Sequence, residues 1–536
     1  MDFWIAVIPI LFLIVVMTKT KSWPSHLALP ATALLVYLLR FLYFEAAAAE
    51  THAALIKGVL SALTPLAIIW SAILLSDFMN RTGAQEVVNR YLNELSRNRV
   101  AQLMLIGWAF AFMLEGASGF GTPAAIAAPI LVALGFPALR VAILTLVMNS
   151  VPVSFGAVGT PTWFGFAPLG LTEAELLSIS PKIAMVHTAA SLVIPALALC
   201  FVLKWHEIRR NLIFVLLSSL SCSLPFLGLS FLNYEFPSLL GGGVGLAITA
   251  LLARSGFGLS EQMPESDMPA SPDPAPLEGP LSTRPRWIAF TPYLLLMGIL
   301  ILTRIPDLGI RALLSATSPY FSTGLGALGE FRLSAALVVE LKSILGTAVN
   351  WSFPMLFVPA LIPFVIVVLL SKPILHADWN LLTGAAVSAT RRIRLPAVTL
   401  VGALIMVELM MESSGPRDAM TVQIGQTVAA AAGTSWPYFA SLMGALGAFF
   451  SGSASVSNLT FGAIQQSIAL ATGLDPQKIL ALQSVGGAMG NMVCINNIIA
   501  VSTILGITHA EGKILKRTVL PLIVYALIAA GMSLLI

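Results

Sequence analysis

The sequence predicts an all-α polytopic membrane protein, and three observations carry that prediction. Of its 536 residues 57% are hydrophobic and only 10% charged, against about 45–50% and about 25% in a soluble domain. Mean hydropathy is +0.90, and apolar runs extend for about 18–20 positions, the length that crosses hydrocarbon. The runs are continuous rather than alternating. This selects helices over a closed barrel, the other structure that satisfies backbone groups where water is absent. The lipid bilayer is therefore the partner the composition requires. The net charge of +4 is small and comes from short basic loops between apolar runs, which argues against a nucleic-acid partner. Cys200, Cys222 and Cys494 form no CxxC pair and read as small buried hydrophobes. Neither a metal nor a cofactor is expected.

About twelve spans follow, near 3–18, 27–44, 57–79, 140–160, 183–204, 211–232, 237–254, 287–304, 352–371, 395–412, 478–508 and 516–535. The first begins acidic and lacks a small-residue cleavage site, so it reads as a retained span rather than a signal peptide. Basic segments set the orientation: KTK at 19–21, the arginines between 81 and 99, KWHEIRR at 204–210, TRRIR at 390–394 and KILKR at 513–517. They are mutually consistent if these loops face the cytoplasm and both termini lie outside. Acidic EAAAAE at 45–50 then falls on the outer face. Residues 81–99 and PALR at 137–140 fall on one side, so the segment between them leaves and returns. Its arms, about 100–114 and 123–136, are short for a crossing of roughly 20 residues. A re-entrant hairpin fits, with EGASGFGTP (Glu115 to Pro123) at its tip; two short complete spans satisfy the parity equally.

Residues 255–286 are rich in proline and acidic residues and read as a cytoplasmic linker between two parts, 1–254 and 287–536. The polar interruptions of the two parts match in order. GASGFGTP, an apolar arm and GFPALR lead to NSVPVSFGAVGTP (Asn149 to Pro161). SGSASVSN (Ser451 to Asn458), an arm and GLDPQK lead to SVGGAMGNMVCINN (Ser484 to Asn497). Parity brings the second hairpin, near 437–471, in from the outer side. Two like units of opposite topology are the mark of inverted-repeat transporters, whose sites lie at the bilayer midplane on broken helices.

The chemistry at the tips suits a small anion. Thr122 before Pro123 is a helix start, and free N–H groups with the positive dipole end would follow it. Gly116, Gly119 and Gly121 permit close approach of a ligand to the chain on either side of Phe120. Ser118 and Thr122 add hydroxyls; Ser453, Ser455, Ser457 and Asn458 repeat the offer. The facing breaks contribute Asn149, Ser150, Ser154, Asn496 and Asn497. Small-residue runs that merely let helices pack closely are the plainer alternative for any one residue. Intramembrane carboxylates are costly and suggest function; Glu115 at the tip is the stronger proton carrier, with Glu412 second. His187, inside a span, reads as a hydrogen-bonded packing residue. Gly116 to Gly119 also spell GxSG, the nucleophile motif of rhomboid proteases. That remote alternative needs a histidine within reach of Ser118, and His187 lacks the expected surroundings.

At these residues the sequence resembles the L-lactate permease family. EGASGFGTPAAIAAPILVALGF is close to that family's EGAAGFGTP block, and NSVPVSFGAVGTP resembles its NTAPVAFGA(I/M)G(I/T)P block. SGSASVSNLTFGAIQ and GGAMGNMVCINNIIAVS are similar to its TGSDTxxNxLFGxLQ and GGxxGKMISPQSIA blocks. The resemblance implies a symporter of a short monocarboxylate, such as lactate or glycolate, with H⁺ in the cytoplasmic membrane. It further implies elevator-like movement of the hairpins and a tendency to form a homodimer. Two departures stand out: Ala454 replaces the family's acid, and Cys494, Ile495 and Asn496 replace its SPQ. They shift the proton step toward Glu115 or Glu412, and leave a sulfonate, a dicarboxylate or other ion coupling as the alternative. An anion channel or exchanger using the same helix ends is the competing class.

Overall fold

The computed structural model describes residues 2–18, 23–119, 122–260, 286–304, 308–358, 361–507 and 510–536. It is mostly helical. Among the described residues seven helices are long and apolar enough to cross a membrane: Ser25–Leu42, Ala48–Arg81, Arg99–Ser118, Leu212–Ser230, Pro237–Ser255, Arg394–Met411 and Glu511–Met532. Two bent pairs add to them. Ala138–Met148 with Pro152–Leu169 turns by 59°, and Pro476–Val493 with Asn496–Ser502 by 40°. Shorter apolar helices, Asp2–Met17, Trp287–Thr303, Leu361–Ile374 and Pro437–Phe449, occupy three more expected spans and the first arm of the second hairpin. The expected span at 183–204 is divided between Glu173–Ser191 and Ile194–Leu199. Most of the linker, 261–285, lies outside the described residues.

Burial sorts these helices by what they face. In Glu511–Met532 only 28% of the apolar window is buried, and Leu520 and Leu527 point outward, as expected where lipid covers the surface. In Arg99–Ser118 the share is 94%. The helix that carries Glu115 is thus surrounded by protein. It widens to a π-helix over Leu103–Phe110, a feature frequent near functional sites, and returns to α-helix over Ala111–Ser118.

This helix differs from expectation in extent. The arm was expected to stop near 114; it runs to Ser118, 20 residues in all, while the return helix Thr122–Ala133 has 12. The reason is Gly116, which serves packing rather than a loop. Its bare face meets the backbone of Ser238 and Leu239 in Pro237–Ser255, where a Cβ would have no room.

The all-α expectation is corrected at 320–354, a four-stranded antiparallel sheet in the order β1–β2–β3–β4. Its strands are β1 (Tyr320–Gly324), β2 (Glu330–Ser334), β3 (Val338–Lys342) and β4 (Trp351–Pro354). Phe331 pairs with Leu341, and Leu341 in turn with Trp351. The physical cause is period-two alternation: Glu330, Arg332, Glu340 and Lys342 interleave with Phe331, Leu333, Val339 and Leu341. The span expected from 352 accordingly begins as a strand, and its helix starts only at Leu361. The sheet packs on helix Ala48–Ser61.

The second hairpin region forms Pro437–Ser451 and Ala454–Thr472. Pro437–Ser451 crosses Pro476–Gly490 at very short range. A side chain on Gly486 would strike the Ser441 carbonyl, one on Gly490 the Ala445 carbonyl, and one on Gly444 the Gln483 carbonyl. Small residues four apart allow such approach in membranes. Gly486→Leu is expected to destabilise the protein by about 3 kcal/mol, read as a lowered melting temperature in detergent. An unchanged melting temperature would show that this crossing yields easily.

Candidate functional site

Helix Ala111–Ser118 stops at Gly119, held at φ 58°, ψ −155°, a conformation open to glycine and little else. Its N–H donates to the Glu115 carbonyl at 3.0 Å, and its Cα side abuts Ala157 of the first break. At that break, helix Ala138–Met148 ends before Asn149, a single 3₁₀ turn spans Pro152–Phe155, and the chain turns left-handed. Ala157, Val158 and Gly159 have φ of 45°, 55° and 72°. For alanine, and more so for β-branched valine, that conformation is strained. Strain of this kind is kept where surrounding structure enforces it.

Glu115 lies between tip and break, 3% exposed. Asn149 Nδ2 donates to its Oε2 at 3.0 Å, and Gly156 lies so close to Oε1 that a Cβ there would collide. Asn149 Oδ1 is buried and has no hydrogen-bond partner among the described residues.

A cavity of about 410 Å³ opens beside this pair, a size typical of small-molecule sites. Ser118 and Asn149 line it from the first tip and break, Asn491 and Asn497 from the second break, and Ser76 and Asn80 from helix Leu63–Arg81. Ile69, Ala72, Leu146, Val501 and Ile504 supply apolar wall. Arg392 also lines it with a side chain 65% exposed, so the cavity reaches the protein surface at the Arg392 end. There Asp77 bonds Arg81 at 2.7 Å and stands 4.0 Å from Arg392.

Of the expected site residues, the structure therefore brings Ser118, Asn149 and Asn497 to one cavity, with Glu115 one hydrogen bond behind. Phe120 and Gly121 lie outside the described residues, as does the side chain of Thr122. The second tip is placed differently. Ser453 caps Ala454–Thr472, accepting from Val456 N at 3.3 Å. Ser457 Oγ donates to the Gly444 carbonyl at 2.6 Å and accepts from Gln483 Nε2 at 3.1 Å. Asn458 Nδ2 donates to the Pro161 carbonyl at 2.8 Å. Ser455 is buried. Ser457 and Asn458 thus tie the tip to Pro476–Gly490, and Asn458 also to the first break, while none of the four lines the cavity. Asn496 is exposed and lies beside Gly452. Ala454, where the family block has its acid, sits in an apolar cluster with Val153 and Ala488.

Glu412 forms an ion pair with Arg40, away from the cavity wall. His187 is buried, its Nε2 against Ser154 Oγ at 2.8 Å and its Nδ1 against the Tyr525 hydroxyl. Ser154 and Ser484 hydroxyls meet at 3.1 Å, so this chain ties both breaks together. Ser118 Oγ donates to the Leu114 carbonyl at 2.9 Å. The serine and histidine that a protease would pair are thus bonded to different partners. Sequence reasoning missed Ser76, Asn80, Asn491 and Arg392. Ser76 and Asn80, four apart on one face of Leu63–Arg81, were a readable signal.

Known proteins resemble this chain along nearly its whole length. A family model described as L-lactate permease matches residues 2–536. A Haemophilus influenzae protein, provisionally named an L-lactate permease, is 46% identical over 530 residues, covering 99% of this chain and 97% of its own. The L-lactate permease of Bacillus subtilis is 26% identical, covering 96% and 92%. The glycolate permease GlcA of Escherichia coli is 24% identical, covering 99% and 95%. With nearly every residue matched, the chain belongs to the L-lactate permease family.

Proposed function

We propose that the protein carries a short 2-hydroxy monocarboxylate, L-lactate or glycolate, together with a proton across the cytoplasmic membrane. The observation that carries this reading is the cavity where Ser118, Asn149 and Asn497 converge beside buried Glu115, in a chain whose relatives are named lactate and glycolate permeases. Arg392 at the mouth draws the anion in. The start of the return helix at Thr122 and the Ser118 hydroxyl receive its carboxylate, while Asn149 and Asn497 receive its hydroxyl. Glu115 takes the proton. Glu412 is already paired with Arg40, which makes it a structural group in this scheme. Ser453, Ser455, Ser457 and Asn458 are assigned to holding the second tip.

The matched order of tips and breaks supports two inverted repeats, 1–254 and 287–536, whose hairpins near 100–136 and 437–471 move together as an elevator. Both termini would face outward and two copies would associate. Uptake of radiolabelled L-lactate into proteoliposomes tests the central reading. Saturable uptake that rises with an inward proton gradient, and falls when a protonophore collapses it, is expected. Non-saturable flux indifferent to the gradient would make the protein a channel. Asn497→Leu is expected to raise KM about tenfold, the loss of one hydrogen bond of about 1.4 kcal/mol. An unchanged KM would take Asn497 out of the substrate's reach.

A further inference from the structure

Helix Leu63–Arg81 gives the cavity two polar groups that the protein leaves unused. Half-buried Ser76 and exposed Asn80 both line it, and among the described residues neither has a hydrogen-bond partner within the protein. Their neighbours behave otherwise: Ser71 and Thr82 return their hydroxyls to the Ile68 and Met79 carbonyls. Polar groups on the opposite wall are partly spent as well, Ser118 on the Leu114 carbonyl, Asn149 on Glu115 and Asn497 on the Asn491 carbonyl. Residues four apart share one helix face, with about 5–6 Å between their Cβ atoms. A free hydroxyl and a free amide therefore stand together, each able to donate to a carboxylate.

Arg392 supplies the charge. Asp77 Oδ1 stands 4.0 Å from it, too far for a hydrogen bond, while the other Asp77 oxygen holds Arg81 at 2.7 Å. Two arginines thus share one aspartate, which leaves a positive charge over at the mouth. The Arg392 fork is free to meet a carboxylate with two parallel bonds. Packing keeps it in place: Trp70 Nε1 donates to Thr390 Oγ1 at 3.1 Å, and the bare face of Gly384 lies against the Arg81 guanidinium. Helix Trp379–Arg392 is thereby docked on Leu63–Arg81. The cavity, about 410 Å³, holds on the order of ten waters at about 30 Å³ each. A lactate ion, the size of a few waters, fills only part of it.

We propose that Ser76, Asn80 and Arg392 form a vestibular station that binds the substrate carboxylate at the cavity mouth, apart from the place at Ser118 and the return helix. The inference rests on the carrier reading above and adds to it an anion held at the mouth, beyond one attracted there. TRRIR at 390–394 lies on the cytoplasmic side in the orientation read from the basic loops. During uptake the station is then the last stop before release.

The test places a thiol in the station with Ser76→Cys, which keeps a small side chain there, in the full-length protein. Inside-out membrane vesicles turn the cytoplasmic face to the medium. A small, membrane-impermeant methanethiosulfonate is added, and its reaction at residue 76 is followed by mass spectrometry. His206→Cys, exposed in KWHEIRR outside the cavity lining, is the reference. L-lactate at ten times its half-protecting concentration should slow the reaction at residue 76 about tenfold, as occupancy dictates, and leave His206→Cys unchanged. Lactamide, its neutral amide, should not protect. Adding Arg392→Gln should raise the half-protecting concentration about tenfold, since a charged bidentate partner is lost. Should Ser76→Cys fail to reach the membrane, Asn80→Cys gives the same reading. Absent protection, equal slowing of His206→Cys, protection by lactamide, or a half-protecting concentration unmoved by Arg392→Gln overturns the station while saturable, gradient-driven uptake stands. Non-saturable uptake indifferent to the gradient overturns the carrier reading itself.

Discussion

Glutamine at position 115 is expected to uncouple lactate movement from protons without closing the path. With one proton carried per lactate, an inward gradient of one pH unit can hold about a tenfold lactate accumulation; in Glu115→Gln that ratio should fall to about one. Exchange of internal for external lactate should continue, because the side chain keeps its volume, its place against Gly156 and a polar contact with Asn149. The expectation follows from isolation. Glu115 is 3% exposed in the helix most enclosed by protein, and among the described residues its one hydrogen-bonded side chain is neutral. Removing a charge from water costs several kcal/mol unless it is paired, about as much as a proton can supply. Glu408 is the contrast, buried but held by Lys57 at 2.9 Å. If Glu115→Gln still accumulated lactate against its gradient, the proton would travel elsewhere, and Glu408 would be the next carboxylate to replace.

The tips and breaks were legible in the sequence because each is expensive there. A carboxylate, hydroxyls and bare backbone inside an apolar run cost free energy unless something requires them, and NSVPVSFGAVGTP breaks its helix as its prolines and glycines dictate. What stayed hidden depends on contacts made far along the chain. Ser457 and Asn458 read as ligands until Gln483, about 25 positions on, is seen to hold both. Gly116 read as loop until Leu239 is seen against it. Arg392 read as an orientation marker, because only folding sets it beside Asn80 and Asn497. The sheet was missed since Trp351 and Phe353 prolong an apolar stretch, and the period-two pattern before them went uncounted.

The pairing of Arg40 with Glu412 leads to the second large expectation. Arg40 is fully buried in helix Ser25–Leu42, where its Nη1 donates to the Glu412 carbonyl at 2.8 Å and its guanidinium meets the Glu412 carboxylate. Glu412 Oε1 in turn accepts from Ser414 N at 2.5 Å, just past the end of Arg394–Met411. These bonds staple one helix to the terminus of the other, and Gly402 presses on Pro30 lower in the same interface. Removing one member of a buried ion pair strands the other charge, which typically costs about 3–5 kcal/mol. Arg40→Met should therefore lower the melting temperature markedly, and Glu412→Gln less, because the glutamine amide oxygen can still accept from the guanidinium. Pairing Arg40→Met with Glu412→Leu should recover much of the loss, since two apolar groups replace both charges together. The same series separates structure from coupling. Glu412→Gln should keep gradient-driven accumulation of lactate even where its stability falls, whereas Glu115→Gln should lose accumulation and keep its stability. Loss of coupling in Glu412→Gln with an unchanged melting temperature would return the proton to the C-terminal end of Arg394–Met411 and take it away from the cavity.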